Sequence, residues 1–281
     1  MASFNNPVRR VIMELLLIVP MSLALIYASI GLFAWYYSDR MIFPAPHSSY
    51  RDSDWRPYGI EVLHIPMENG DTVAAVYLPN RRATHLILFS HGNAEDLGST
   101  FPLLQIFHQA GFAVFAYDYP GYGTSDGQPS EKSSYAAIDA AYGFIVDDLS
   151  VPAKSIIAYG RSLGGGPTVD LASRAPLGGI VLESVFVSAF RVMTHIPLLP
   201  WDKFNNVGKL GGVRCPVLVI HGTEDKVVPF WHGQALLEHA NPPKLYLWAE
   251  NAGHNNVAEV AGQTYLESIR ALQDEIKKAS Q

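Results

Sequence analysis

The sequence predicts an α/β fold with a mostly parallel central sheet flanked by helices, entered through an antiparallel hairpin and preceded by one membrane-crossing helix. Three observations lead there. Short, nearly continuous apolar runs alternate with segments long enough for crossover helices, the pattern of strands covered on both faces. Two earlier runs flank Glu68-Asn69-Gly70-Asp71, an Asn-Gly turn between strands. Before both, the chain carries one long apolar stretch.

That stretch comes first. Residues 11–37 hold 22 apolar residues among 27, and the 23 residues from Leu15 to Tyr37 carry no charge. As a helix they would rise roughly 35 Å, enough to cross a hydrocarbon core. Apolar residues on every face exclude an amphipathic surface helix. The run continues through Trp35, past the weak cleavage candidate near Ala28, and is too long for a signal peptide. Trp35, Tyr36 and Tyr37, then Arg40, read as an interfacial belt. Arg9 and Arg10 on one side balance Arg40, Arg51 and Arg56 on the other, so charge sets no orientation.

Residues 1–40 are thus expected as tail and anchor. Residues 41–58, broken by Pro44, Pro46 and Pro57, are expected as a linker, and residues 59–281 as one catalytic domain. Strands are expected at Glu61–Met67 and Thr72–Leu78 (the hairpin), then at Leu86–Ser90, Ala113–Tyr117, Ser155–Tyr159, Gly179–Leu182, Pro216–Ile220 and Lys244–Trp248. Helices are expected in Ser99–Ala110, Ser130–Leu149, Gly164–Arg174 and Phe230–His239. One connection breaks the alternation. Residues 184–212 are too long for a plain loop and read as a lid-like insertion. Its Phe186, Phe190, Met193, Ile196, Leu198 and Leu199 either line an acyl groove or pack on the sheet.

Composition narrows the function. Without residues 11–37 the apolar share falls from 48% to about 44%, ordinary for a globular domain. The net charge of −6, with no basic run longer than the pairs Arg9-Arg10, Arg81-Arg82 and Lys277-Lys278, argues against a nucleic-acid partner. A single cysteine, Cys215, excludes an intramolecular disulfide and multi-cysteine metal sites, and its place at a strand start reads as structural. Neither G-x-x-x-x-G-K-[ST] nor H-E-x-x-H occurs. Asp126 stands where Gly121 and Gly123 would need a third glycine to bind a dinucleotide. No cofactor or metal is expected.

The chemistry lies in three strand exits. Gly160-Arg161-Ser162-Leu163-Gly164 matches G-x-S-x-G between a strand and a helix, the context of a nucleophile elbow. A serine hydroxyl needs a base, and the base an orienting acid, here in the order Ser, acid, His. Asp225 follows the strand ending at Ile220, and His254 follows the last strand; they lie 63 and 92 residues after Ser162. Glu224 and Glu183 are the competing acids. His221, apolar-flanked, reads as a packed strand-end histidine. The oxyanion needs two backbone N–H donors. Leu163 offers one, and Asn93 in Ser90-His91-Gly92-Asn93-Ala94 the other. Asp118-Tyr119-Pro120-Gly121-Tyr122-Gly123-Thr124-Ser125 is expected to shape the same rim by packing.

Across roughly residues 60–275 the sequence resembles the α/β-hydrolase superfamily. It is most similar to a membrane-associated, bud-emergence-like branch that includes the eukaryotic protein depalmitoylases. SHGNAEDLG, YDYPGYGTSDGQPSE, GRSLGGGPTVDLASR, LVIHGTEDKVVP and AGHNN carry the resemblance. It implies the α/β-hydrolase fold and places nucleophile, acid and base on Ser162, Asp225 and His254. Depalmitoylases of that branch tether themselves through acylated N-terminal cysteines, whereas here an apolar helix stands at the N-terminus. The expected activity is that of a membrane-anchored serine hydrolase cleaving carboxylic esters or thioesters, with acyl chains of lipids, lipoproteins or lipophilic esters as substrates. Amide or peptide cleavage on the same triad is one alternative. The other is a catalytically silent binding protein, which would show a broken triad or elbow.

Overall fold

The computed structural model describes residues 7–279, in two compact units divided between Ile42 and Phe43. The first unit is one helix, α1 (Pro7–Ile42). Its segment Arg10–Ile42 is long and apolar enough to cross a membrane, and its most apolar stretch is unburied. Leu16, Met21 and Leu25 are each about two-thirds exposed or more. Ser29 Oγ donates back to the Leu25 carbonyl at 2.8 Å, so its hydroxyl is satisfied within the helix.

In the second unit, among the described residues, eight strands form one sheet in the order β1-β2-β4-β3-β5-β6-β7-β8. The hairpin of β1 (Val62–Pro66) and β2 (Thr72–Leu78) turns at Gly70, whose φ of +89° suits glycine. β3 (Leu86–Ser90) leads into α2 (Leu97–Gln109), which returns to β4 (Ala113–Tyr117). β2 pairs with β4 antiparallel; from β4 across the rest of the sheet every pairing is parallel. α3 (Glu131–Gly143) starts at Ser130, whose Oγ accepts the Ser133 N–H at 3.0 Å. The helix expected to reach Leu149 instead ends at Gly143 and widens into a π turn over Phe144–Asp148.

β5 (Ile156–Arg161), α4 (Gly165–Arg174) and β6 (Gly179–Glu183) follow. The long connection beyond β6 contains only two short helices, α5 (Arg191–Thr194) and α6 (Asn206–Leu210). Its ends pack inward: Val185, Val187, Phe204 and Leu210 are buried, while Met193, Ile196 and Leu198 in the middle are exposed. The chain completes β7 (Val217–Gly222), α7 (Trp231–His239), β8 (Lys244–Ala249), α8 (Val257–Ala261) and α9 (Gln263–Ala279). β3 to β7 read as nearly continuous apolar runs because both their faces are covered. β8, at the edge, alternates in burial and leaves Tyr246 59% exposed.

One layer of the core lies between the sheet and α2 and α9. Phe89, Tyr159, Val181 and Leu218 meet Leu104 and Phe107 of α2 there, and Tyr265, Ile269, Leu272 and Ile276 of α9. The last four recur at helical spacing, forming one apolar stripe. Residues 41–58, expected as a linker, carry Phe43, Tyr50 and Trp55 into the buried interior of the second unit. Prolines there interrupt regular structure without preventing packing.

The chain leaves β3 toward β4 on one side and enters β5 on the other. The crevice between the C-terminal ends of β3 and β5 is therefore a topological switch point, where open α/β sheets bind ligands.

Candidate active site

Ser162 sits on the turn after β5 with φ +52°, a left-handed conformation that non-glycine residues rarely adopt. The turn closes only because its flanks are glycines. A Cβ on Gly160 would lie 2.5 Å from the Gly164 carbonyl oxygen. One on Gly164 would lie 2.0 Å from the Ser90 carbonyl oxygen. The elbow backbone is thereby pressed against the exit of β3.

His254 Nε2 lies 3.0 Å from Ser162 Oγ, and its Nδ1 lies 2.7 Å from Asp225 Oδ2. Asp225 Oδ1 accepts the backbone N–H groups of Val227 (2.9 Å) and Val228 (2.8 Å). Burial alone would raise the Asp225 pKa. Hydrogen bonds from His221, His254 and the Val228 N–H outweigh it and hold the carboxyl well below the usual carboxylate range. It is therefore a permanent anion at neutral pH and can orient the imidazole. Of the competing acids, Glu224 is exposed. Glu183 is taken up elsewhere, by Tyr159, Tyr265 and Arg161.

His221 is fully buried, with its Nε2 2.9 Å from the Val228 carbonyl and 3.4 Å from Asp225 Oδ2. It packs as a strand-end histidine and also braces the loop that carries Asp225. α7 presses on its ring so closely that a Cβ on Gly233 would lie 2.7 Å from Nδ1. Cys215 lies at the opposite ends of the strands, beside a separate cavity of about 300 Å³ near Lys154, Arg174 and Arg214. Burial pushes its thiol up to about 11, which leaves it a poor nucleophile.

The loop after β3 is held from several sides. Tyr119 and Tyr122 donate to the carbonyls of His91 (2.6 Å) and Asn93 (2.8 Å). The segment 118–125 thus fixes the backbone at His91 and Asn93. His91 is buried against Asp118 at 3.2 Å, and its Nδ1–H meets the Gly92 carbonyl at 2.7 Å. Burial disfavours the imidazolium, yet Asp118 and that carbonyl raise the His91 pKa. Glu95 closes the loop, accepting the Gly92 N–H at 2.8 Å.

One set of side-chain contacts went unread in the sequence. Arg161, the residue before the serine, binds Glu95 at 2.6 Å and Glu183 at 3.5 Å, and reaches Asn255, the residue after His254, at 3.4 Å. Glu183 in turn accepts the hydroxyls of Tyr159 and Tyr265. The only sequence signal was a pair of charges, Glu95 and Arg161, set within otherwise small or polar motif segments.

A mostly parallel eight-stranded sheet with a strained serine after its fifth strand defines a hydrolase of the α/β-hydrolase fold. The family model described as serine aminopeptidase, S33, matches residues 81–204. An esterase of Pyrococcus furiosus superposes with a TM-score of 0.70 at 15% identity, over 83% of this chain and 96% of that one. The alpha/beta hydrolase domain-containing protein aho-3 of Caenorhabditis elegans is 44% identical over 203 residues, 70% of this chain; the match spans 59% of that relative's length. Human alpha/beta hydrolase domain-containing protein 17B is 40% identical over 218 residues, 75% of this chain and 74% of the relative. The chain belongs to the family of these alpha/beta hydrolase domain-containing 17 proteins, and the resemblance carried by its motifs is borne out.

Proposed function

We propose that this protein is a membrane-anchored serine hydrolase that cleaves carboxylic esters or thioesters through an acyl-enzyme. The observation that carries the reading is the hydrogen-bonded series Ser162–His254–Asp225, at 3.0 and 2.7 Å. His254 Nε2 takes the Ser162 proton as Oγ attacks the acyl carbon. The Leu163 and Asn93 N–H groups stabilise the oxyanion. The alcohol or thiol leaves with the proton from His254, and water, deprotonated by the same imidazole, releases the acid. α1 supports the anchor through its length and its apolar, unburied surface. An anchored enzyme meets acyl chains at the bilayer surface, which favours lipids, lipoproteins or lipophilic esters as substrates. Residues 184–212, with Met193, Ile196 and Leu198 exposed, suit a lid over that site.

The test is covalent labelling with a fluorophosphonate probe. Wild type should label and Ser162→Ala should not; persistent labelling would move the nucleophile elsewhere. In the same preparations, carbonate washing should leave the full chain in the membrane pellet and release a chain lacking residues 1–42. A serine aminopeptidase model matching residues 81–204 favours a second reading, amide cleavage on the same triad. Turnover of aminoacyl p-nitroanilides above that of p-nitrophenyl esters would establish it instead.

A further inference from the structure

A cleft of about 530 Å³ opens on the face of the sheet that carries α2 and α9, within the size range of small-molecule sites. Its walls are Leu103 and Ile106 of α2 and Leu266 of α9; its floor is Arg161, Glu183 and Tyr265. Tyr159 and Arg161 are two residues apart on β5 and so face the same side. Tyr159 packs against Phe107 of α2, with ring centroids 5.2 Å apart, and its hydroxyl lies 2.6 Å from that of Tyr265. Two of its lining residues adjoin the triad in sequence: Arg161 precedes the nucleophile and Asn255 follows the base. None of residues 184–212 lines it.

We infer that this cleft receives an uncharged aliphatic chain of the substrate. The inference rests on the ester-hydrolase reading above and gives it a specificity site. Charge decides the chemistry of the occupant. Arg161 is matched by Glu95 and Glu183, and Glu183 is further held by two tyrosine hydroxyls, so the floor has no cationic group left to bind an anion. Exposed Glu259 lines the same cleft and adds negative charge. A phosphate or carboxylate headgroup would be repelled, whereas an alkyl chain meets apolar walls and a polar floor whose hydrogen bonds are already made. The connection 184–212 offers less: Phe186 and Phe204 are already packed inward.

The chain can come from either side of the ester, and two substrate series separate these sources: p-nitrophenyl acyl esters from acetate to palmitate, and acetate esters of alcohols from ethanol to hexadecanol. Ile106→Trp, at a 41% exposed position on the cleft wall, narrows the cleft without touching the buried core. It should lower the ratio of kcat/KM for C8 over C2 substrates at least tenfold in one of the two series. Leu266→Ala should raise the same ratio at C12 and beyond. Val260→Trp, on α8 but outside the cleft, should leave both series as in wild type. Wild-type ratios in both series for both cleft variants would overturn the inference while the hydrolase reading stands. A wild-type enzyme that hydrolyses no ester but labels with fluorophosphonate, or does neither, would overturn both.

Discussion

Asp225→Asn tests the triad at its most constrained atom. Asp225 Oδ1 accepts two backbone N–H groups, from Val227 at 2.9 Å and Val228 at 2.8 Å. In the variant the amide oxygen must stay on those two donors. Turning it round would lose both hydrogen bonds and set two N–H groups against the new NH₂, a cost of about 2–3 kcal/mol. The NH₂ therefore takes the place of Oδ2 and faces His254 Nδ1 at 2.7 Å. It can only donate, so Nδ1 must accept, and the imidazole proton moves to Nε2. At 3.0 Å from Ser162 Oγ, that Nε2 is then a donor and can no longer take the serine proton. A flipped tautomer of this kind costs about 10⁴-fold in kcat, or about 5.4 kcal/mol of transition-state stabilisation. The loop keeps its two backbone bonds, so near-UV circular dichroism and the unfolding midpoint should change little. Stopped-flow and steady-state turnover of p-nitrophenyl acetate measure the loss. A kcat within tenfold of wild type would refute the reasoning, because neither Glu183 nor Glu224 has the geometry to replace the acid.

Two further outcomes follow from packing and charge. Gly164→Ala should destabilise the domain by about 1–3 kcal/mol in urea unfolding and lower turnover as well, since its Cβ would press into the Ser90 carbonyl. Gly143→Ala, with nothing within 4 Å, is the control, and equal stability of the two variants would contradict the close contact. Asp96 caps α2, accepting from the Ser99 N–H and from the Ser49 N–H and hydroxyl. Burial would raise its pKa, but those donors bring it below the ordinary value. Its stabilisation is thus fully present above the unfolded value of about 3.9 and is lost as pH falls through the lower folded value. Asp96→Ala should cost about 1–2 kcal/mol at pH 7. A gap that stays constant down to pH 2.5 would rule out the linkage.

What the sequence disclosed, and what it hid, divides along one physical line. Strands β3 to β7 were legible because burial on both faces leaves a nearly continuous apolar run in each, and the glycines of the elbow because the turn has no room for a side chain. Order along the chain then put Ser162, Asp225 and His254 at strand ends, and a parallel sheet gathers such ends along one edge. All of these are properties of the backbone or of one element at a time. Arg161 with Glu95 and Glu183 is different in kind. The three come from three strand exits, and whether their side chains meet depends on which face of the sheet each points to and how far its loop travels. A one-residue change in register would send Arg161 to the other face. The cleft has the same origin, since its walls are helices α2 and α9, distant in sequence, that meet only because both cover one side of the sheet. Reaction type is therefore written in short motifs, where the backbone must take one shape. Substrate choice is written in long-range packing, so one fold can keep a reaction type while the walls of its clefts diverge.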